Sequence, residues 1–189
     1  VAVAGAGTMG SGIAIVAARA GFETYLFDTS EDTVARARKQ TEGFFAKSVA
    51  KGKMTEEQVS EILGRMHGTS KVEDLATCDL VIEAVFEDLN VKHDLFGRLN
   101  DVCPEHTIFA SNTSTLSISE IAGGSGRSDR VVGMHFCLPA QLMKLVEMSP
   151  GLNTSEETFN KAWAFCESLK QKPVRTQDTP GFILNYFLV

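Results

Sequence analysis

The sequence lacks the patterns that mark metal sites, nucleic-acid surfaces and membrane spans. Its four cysteines lie at least 25 residues apart and its four histidines show no paired spacing, so we predict no metal site. No apolar run approaches the ~20 residues that a membrane-spanning helix needs. Acidic residues outnumber basic ones by 24 to 18, and the resulting net charge of −6 disfavours nucleic acid or an anionic membrane as a partner.

The cysteine spacing also bears on the redox environment of the protein. We expect the four residues to be buried free thiols, which predicts a reducing compartment. They are Cys78, Cys103, Cys137 and Cys166. The chain begins inside an apolar run without a methionine and ends within another, so we expect it to be part of a longer protein.

A glycine-rich turn near the start is the strongest local pattern that is present. An apolar run, Val1 to Ala4, is followed by Gly5, Gly7 and Gly10 and then by an apolar, alanine-rich segment. A strand that ends in this G-x-G-x-x-G spacing and enters a helix is typical of dinucleotide binding, although any α/β protein can contain such a turn. Thr8 and Met9 complete the loop, whose backbone would meet a pyrophosphate at the helix start.

The next predicted strand supports the dinucleotide interpretation. The segment 24–28 is rich in β-formers and ends in Asp28, 18 residues after Gly10. A carboxylate at this distance would accept hydrogen bonds from the adenosine ribose hydroxyls. We therefore predict that Asp28 selects NAD over a cofactor carrying a 2′-phosphate.

The remainder of the chain alternates predicted strands and helices. Such alternation predicts an α/β fold with a doubly wound parallel sheet. Further strands are expected at 64–70, 79–85, 107–111, 130–136, 141–148 and 173–176. Asp178 starts a new unit: Thr179 and Pro180 fit the start of a helix that is apolar on nearly all sides up to Leu188. We thus predict a dinucleotide-binding domain over 1–177 and the first helix of an all-helical C-terminal domain over 178–189.

Polar side chains at predicted strand ends are candidates for chemistry. Ser114, His135 and Glu147 all fall where ligands bind in such sheets. His135 could act as a general base oriented by a carboxylate, or it could be an ordinary core histidine. Glu147 could equally be a surface acid and Ser114 a turn cap, and Cys137 could be a nucleophile or a buried strand residue. Lys51 lies in a basic stretch that is either a solvated face or a patch for an anionic substrate tail.

Five sequence blocks, taken in order, decide between these alternatives. They are GAGTMG at 5–10, the strand end at Asp28, ASNTS at 110–114, MHF at 134–136 with MKLVE at 143–147, and DTPGFILN at 178–185. Together they resemble the 3-hydroxyacyl-CoA dehydrogenase family across essentially all 189 residues.

The resemblance implies a Rossmann-type NAD domain and a C-terminal dimerisation domain. It implies NAD-dependent oxidation of a 3-hydroxyacyl-CoA, as in fatty acid β-oxidation, by a homodimer in the bacterial cytoplasm, the mitochondrial matrix or the peroxisome. His135 would take the proton of the 3-hydroxyl, and Glu147 would pair with His135. Ser114 and Asn185 would hold the reacting oxygens. The other implied contacts are Asp28, Glu87, Lys92 and Ser114 with NAD, and Lys51 with the CoA phosphates.

One position departs from the family pattern. The family usually reads H-F-F-N-P, whereas this chain reads H-F-C-L-P, with Leu138 in place of the asparagine beside the nicotinamide and the substrate. Two alternatives therefore stay open: an NAD-dependent dehydrogenase of a hydroxy acid or alcohol without CoA, and a catalytically silent NAD-binding module.

Overall fold

The computed structural model describes residues 1–186, which form one eight-stranded sheet with helices on both faces. The strands are β1 (Ala2–Ala4), β2 (Thr24–Phe27), β3 (Met66–Thr69), β4 (Leu80–Glu83), β5 (Ile108–Ser111), β6 (Val131–Phe136), β7 (Leu145–Pro150) and β8 (Lys172–Arg175). The α-helices are α1 (Thr8–Arg19), α2 (Glu31–Ala50), α3 (Glu56–Gly64), α4 (Leu89–Val102), α5 (Ile118–Gly123) and α6 (Glu156–Ser168). None of the described helices is long and apolar enough to cross a membrane.

The strand order confirms the predicted doubly wound fold. The sheet runs β3-β2-β1-β4-β5-β6-β7-β8, and the first six strands in that order are mutually parallel. The chain leaves β1 toward one edge of the sheet and returns to β4 on the other side of β1, so a crevice opens at the carboxyl ends of these two strands. Ligands of open α/β sheets bind in such a crevice.

Two buried clusters, one on each face, hold the sheet between its helices. Val3 and Ile82 belong to one cluster, while Ala2, Val81 and Phe109 belong to the other, as the alternation of side chains along a strand requires. Because both faces are covered, the central strands are apolar without interruption. The exceptions lie at or near strand ends: Glu83 in β4 and Ser111 in β5 are fully buried, and His135 is the next-to-last residue of β6.

The last two strands depart from the predicted parallel arrangement. β7 pairs antiparallel with β6, and it begins at Leu145 rather than at residue 141. The connection of 137–144 is too short for the crossover that a parallel pair needs, so the chain reverses directly. This reversal places His135 opposite Glu147 in the register.

The C-terminal segment also differs from its prediction. Residues 180–186 form turns instead of the expected helix, because Gly181 and Phe182 have positive φ angles of 84° and 46°. Asp178 fixes the start of the segment by accepting hydrogen bonds from the backbone N–H groups of Ile118 and Ser119. Phe182 is buried in the core. The last part of the predicted helix, 187–189, lies outside the described residues.

Candidate active site

A cavity of about 590 Å³ opens at the carboxyl ends of β4, β5 and β6. Its volume is in the range of small-molecule sites. Six residues predicted from the sequence contribute to its lining, namely Met9, Glu87, Lys92, Ser114, His135 and Asn185. Residues that lie far apart in the sequence therefore meet at one place.

His135 and Glu147 form a hydrogen-bonded pair beside this cavity. Nδ1 of His135 lies 2.7 Å from Oε2 of Glu147, and the two side chains are 13% and 1% exposed. A carboxylate accepts only, so Nδ1 carries the proton and Nε2 is the nitrogen left to accept a proton from a ligand. The Glu147 charge also stabilises the imidazolium that such a transfer would create.

The second oxygen of Glu147 holds the C-terminal segment. Oε1 accepts the backbone N–H groups of Ile183 and Leu184, both at 2.9 Å. These bonds bring Asn185 to the cavity, where its amide Nδ2 donates to the backbone carbonyl of Ser114 at 3.3 Å. One buried carboxylate thus fixes the histidine and the segment that delivers Asn185.

Ser114 is held by Glu87. The backbone N–H and the hydroxyl of Ser114 both donate to Oε2 of Glu87, at 2.8 and 3.0 Å, and the Thr113 hydroxyl donates to Oε1 at 2.6 Å. Burial opposes the ionisation of Glu87, but these hydrogen bonds and the charge of Lys92 together lower its pKa. Glu87 is therefore ionised at neutral pH, with its oxygens engaged by the protein.

Lys92 is less accessible than the sequence suggests. Its ammonium is 2.6 Å from Oε1 of Glu83 and 3.4 Å from Oε1 of Glu87, and its side chain is only 2% exposed. Glu83 was not predicted as a site residue. The signal that could have revealed it is a carboxylate inside the apolar run that forms β4.

The glycine turn fits a dinucleotide. A Cβ atom at Gly5 would lie 2.4 Å from the Ala84 carbonyl oxygen, and a Cβ atom at Gly10 would lie 1.7 Å from the Gly5 carbonyl oxygen. Both positions therefore require glycine. A Cβ at Gly7 would meet nothing within 4 Å, which leaves open space above the helix start.

The start of α1 is equally suited to a phosphate. No side chain caps it, whereas side chains cap each of the five other α-helices within residues 1–186. The first-turn N–H groups of α1 are therefore left for an anion. Asp28 lies next to this turn and accepts the Ala6 N–H at 3.0 Å, so the predicted ribose contact and the predicted phosphate loop adjoin.

Of the remaining candidate residues, Cys137 and Leu138 lie at the cavity and Lys51 does not. Leu138 and Cys137 line the cavity, and Leu138 is 63% exposed. Burial and the nearby charge of Glu147 raise the pKa of the Cys137 thiol, which disfavours a nucleophilic thiolate there. Lys51 is exposed at the far end of α2, about 30 Å along the helix from Ser30, and does not line the cavity.

The cysteines and histidines of the described residues show no metal centre. Residues 1–186 contain no group of three His, Cys, Asp or Glu side chains that could hold an ion. The four cysteines are free, as predicted, although Cys137 is only partly buried.

Comparisons with known proteins show the family to which the chain belongs. Residues 1–179 match the family model described as 3-hydroxyacyl-CoA dehydrogenase, NAD binding domain. The chain is 41% identical to 3-hydroxybutyryl-CoA dehydrogenase of Clostridioides difficile, over 100% of the chain and 67% of that protein. It is 44% identical to mitochondrial hydroxyacyl-coenzyme A dehydrogenase of Rattus norvegicus, over 100% of the chain and 62% of that protein.

A solved structure shows the same architecture. FadB2 of M. tuberculosis is 37% identical and superposes with a TM-score of 0.96, over 99% of this chain and 66% of that chain. The chain thus spans about two thirds of the length of these relatives. On this evidence the chain belongs to the 3-hydroxyacyl-CoA dehydrogenase family and carries its NAD-binding domain.

Proposed function

We propose that the full-length protein is an NAD-dependent dehydrogenase that interconverts a 3-hydroxyacyl-CoA and the 3-ketoacyl-CoA. The observation that carries this proposal is the pair of His135 and Glu147 beside a cavity that also receives Met9 of the glycine turn. A proton acceptor and a dinucleotide site then adjoin, which is the arrangement that oxidation of an alcohol needs.

The proposed proton step belongs to His135. Its Nε2 takes the proton of the C3 hydroxyl as the C3–H bond breaks and the C–O double bond forms. When bound, NAD supplies the acceptor for the hydride that leaves C3. In the reverse direction the imidazolium returns the proton to the keto oxygen, and Glu147 holds Nδ1–H throughout.

The other site residues have binding roles in this proposal. The turn of Gly5 to Gly10, with Thr8 and Met9, holds the pyrophosphate, and Asp28 holds the adenosine ribose. Glu87 and Lys92 support the nicotinamide side through Ser114. Ser114 and Asn185 position the reacting oxygens, and Lys51 contacts the CoA phosphates only if the extended part of CoA reaches the end of α2.

A second candidate is the same redox chemistry on an alcohol or hydroxy acid without CoA. The observation that favours it is Leu138, an exposed apolar side chain in the cavity where the family pattern places an asparagine. The substitution Leu138→Asn separates the two candidates. It should keep or improve turnover of an acyl-CoA, whereas it should impair turnover of a less polar natural substrate.

The full-length protein with NAD provides the direct test, followed by nicotinamide absorbance. Turnover of 3-hydroxybutyryl-CoA but not of 3-hydroxybutyrate supports the acyl-CoA assignment. Turnover of the free acid alone supports the second candidate. Binding of NADH without turnover of either would indicate a catalytically silent module. In an active enzyme, His135→Gln should lower kcat by about 10²–10⁴-fold and leave NADH binding intact.

We also infer that residues 178–189 begin a helical C-terminal domain, through which the protein forms a homodimer. Exposed apolar side chains beside the cavity support this inference, among them Leu142 at 65%, Met143 at 44% and Ile183 at 43% exposure. Light scattering of the full-length protein tests the dimer, and a monomer would exclude it. Three buried free thiols fit the proposed reducing compartment.

A further inference from the structure

The end of β4 carries a buried ion pair between Lys92 and Glu83, and Glu83 has no role in the function proposed above. Glu83 is 0% exposed and Lys92 is 1% exposed, and their charged groups lie 2.6 Å apart. A buried ion pair is often no more stabilising than apolar residues of similar volume, so stability alone is a weak account of it. The pair adjoins the cavity, since both residues contribute to its lining.

The Glu83 carboxylate has donors at both oxygens. Oε1 accepts from the Lys92 ammonium and from the Val85 N–H at 2.8 Å, and Oε2 accepts from the Ser111 hydroxyl at 2.6 Å. Burial raises the pKa of Glu83, and these three donors act against that rise. All three partners are donors, which is the environment of an ionised carboxylate.

Two routes lead from Glu83 to the loop that follows β5. The Ser111 hydroxyl, which donates to Glu83, accepts the backbone N–H of Thr113 at 3.2 Å. Lys92 bridges Glu83 to Glu87, and Glu87 accepts both the N–H and the hydroxyl of Ser114. The two ends of the loop 111–114 are therefore held from one buried carboxylate.

The polarity of these bonds determines what Ser114 offers to a ligand. Its hydroxyl proton is directed to Glu87, so its lone pairs are left for a donor in the cavity, such as an amide N–H or a hydroxyl. If the loop shifted, the orientation and the location of this hydroxyl would change together. A displacement of about 1 Å at a reacting group can lower the rate roughly 10²-fold.

We propose that Glu83 is a positioning residue of the active site, which sets the place and orientation of Ser114 through Ser111 and through Lys92 with Glu87. This inference rests on the proposed function insofar as Ser114 contacts the substrate or the nicotinamide. Glu83 is buried and both of its carboxylate oxygens are engaged by donors of the protein, so its effect on turnover passes through the loop.

The test uses the full-length protein with Glu83→Gln, which keeps the size of the side chain and removes its charge. Ser111→Ala removes one of the two routes and leaves the ion pair in place. Glu157→Gln is the matched control, because Glu157 also lies 2.6 Å from a lysine, Lys161, but both side chains are more than 60% exposed. Each variant is measured for melting temperature, kcat per NADH-binding site and hydrogen–deuterium exchange of a peptide covering 109–116.

Misplacement of Ser114 should lower kcat of Glu83→Gln by about 10–100-fold per NADH-binding site, at a temperature where the variant is folded. Ser111→Ala should lower it by about 3–10-fold, and Glu157→Gln should match the unmodified protein. Exchange in the loop peptide should be roughly tenfold faster in Glu83→Gln than in Glu157→Gln. A purely structural role would lower the melting temperature without changing kcat per folded site.

The inference is overturned if folded Glu83→Gln keeps kcat within twofold of the unmodified protein, or if loop exchange is unchanged. Should Glu83→Gln not fold, Ser111→Ala decides by the same two measurements. An unmodified protein without turnover of any 3-hydroxyacyl-CoA would refute the proposed function instead. Loop exchange in that protein would still decide whether Glu83 holds the loop.

Discussion

The substitution Glu147→Gln tests how Glu147 orients His135. The glutamine amide has the same size and shape as the carboxylate, but the carboxylate accepts hydrogen bonds at both of its oxygens. Glu147 accepts from His135 Nδ1 on one oxygen and from the backbone N–H groups of Ile183 and Leu184 on the other. A glutamine has one acceptor and one donor group in place of these two oxygens. It can therefore satisfy one side only.

The two orientations of the amide have different costs. If the amide oxygen faces His135, its NH₂ group faces two partly buried N–H donors, and each donor left unsatisfied costs at most about 1–3 kcal/mol. If the oxygen faces the backbone, both of those bonds survive and the NH₂ group donates to Nδ1. The second orientation should prevail, and it moves the imidazole proton to Nε2.

A proton on Nε2 removes the nitrogen that would accept the substrate proton. The wrong tautomer in the His–Asp pair of serine proteases lowers kcat by about 10⁴-fold. We expect Glu147→Gln to lower kcat by about 10²–10⁴-fold while NADH affinity and melting temperature change little.

The assay is steady-state oxidation of 3-hydroxybutyryl-CoA by the full-length protein, with Glu42→Gln as a surface control that disrupts only an exposed pair with Arg38. A folded Glu147→Gln variant with kcat within threefold of the unmodified protein would refute the tautomer argument. A large loss of melting temperature with retained activity would show that the amide adopts the first orientation.

Three further predictions concern stability and reactivity. Arg127→Met should lower the free energy of unfolding by about 2–4 kcal/mol in denaturant melts. The reason is that the buried guanidinium donates to the backbone carbonyls of residues 100, 103, 104 and 107 and lies 4.5 Å from the centre of the Phe109 ring. An unchanged denaturation midpoint would contradict this prediction. Alkylation of the folded protein should modify Cys137 first, because Cys78, Cys103 and Cys166 are buried and burial raises the pKa of Cys166 to about 12. Mass spectrometry identifies the modified cysteine. Modification of Cys166 before Cys137 would be inconsistent with the structure. The pKa of Glu87 is lowered on folding, so its contribution to the free energy of unfolding is fully present above the unfolded pKa of about 4.3 and is lost as the pH falls through the folded pKa. Glu87→Gln should therefore reduce the fall of the free energy of unfolding between neutral and acid pH. An unaltered pH dependence would exclude this contribution.

Much of the architecture could be predicted from local patterns. The Ser30 cap of α2 and the capping box of Thr55 and Gln58 in α3 are sequence signals that act within one turn, and each helix begins at the residue after its cap, Glu31 and Glu56. The apolar run around Val81 predicted a buried parallel strand for the same reason. The predicted helix after Pro180 is wrong within 180–186, because backbone angles at Gly181 and Phe182 override the helical pattern.

The site could be predicted only in part. Sequence blocks identified His135, Ser114 and Asn185, and strand ends in a parallel sheet predicted that His135 and Ser114 meet. The ion pair of Glu83 and Lys92 was missed, since residues nine apart become partners only when α4 packs against the end of β4.

The sequence by itself determined the glycine turn, the alternation of strands and helices, and the family, because these depend on residue types at short, fixed spacings. The tertiary structure alone decided the register of β7 against β6, which sets Glu147 opposite His135. It also decided that the second oxygen of Glu147 binds the backbone at Ile183 and Leu184, 36 and 37 residues further along the chain. No local pattern encodes these contacts, since a buried carboxylate takes its partners from whichever donors the packed chain brings within hydrogen-bonding distance.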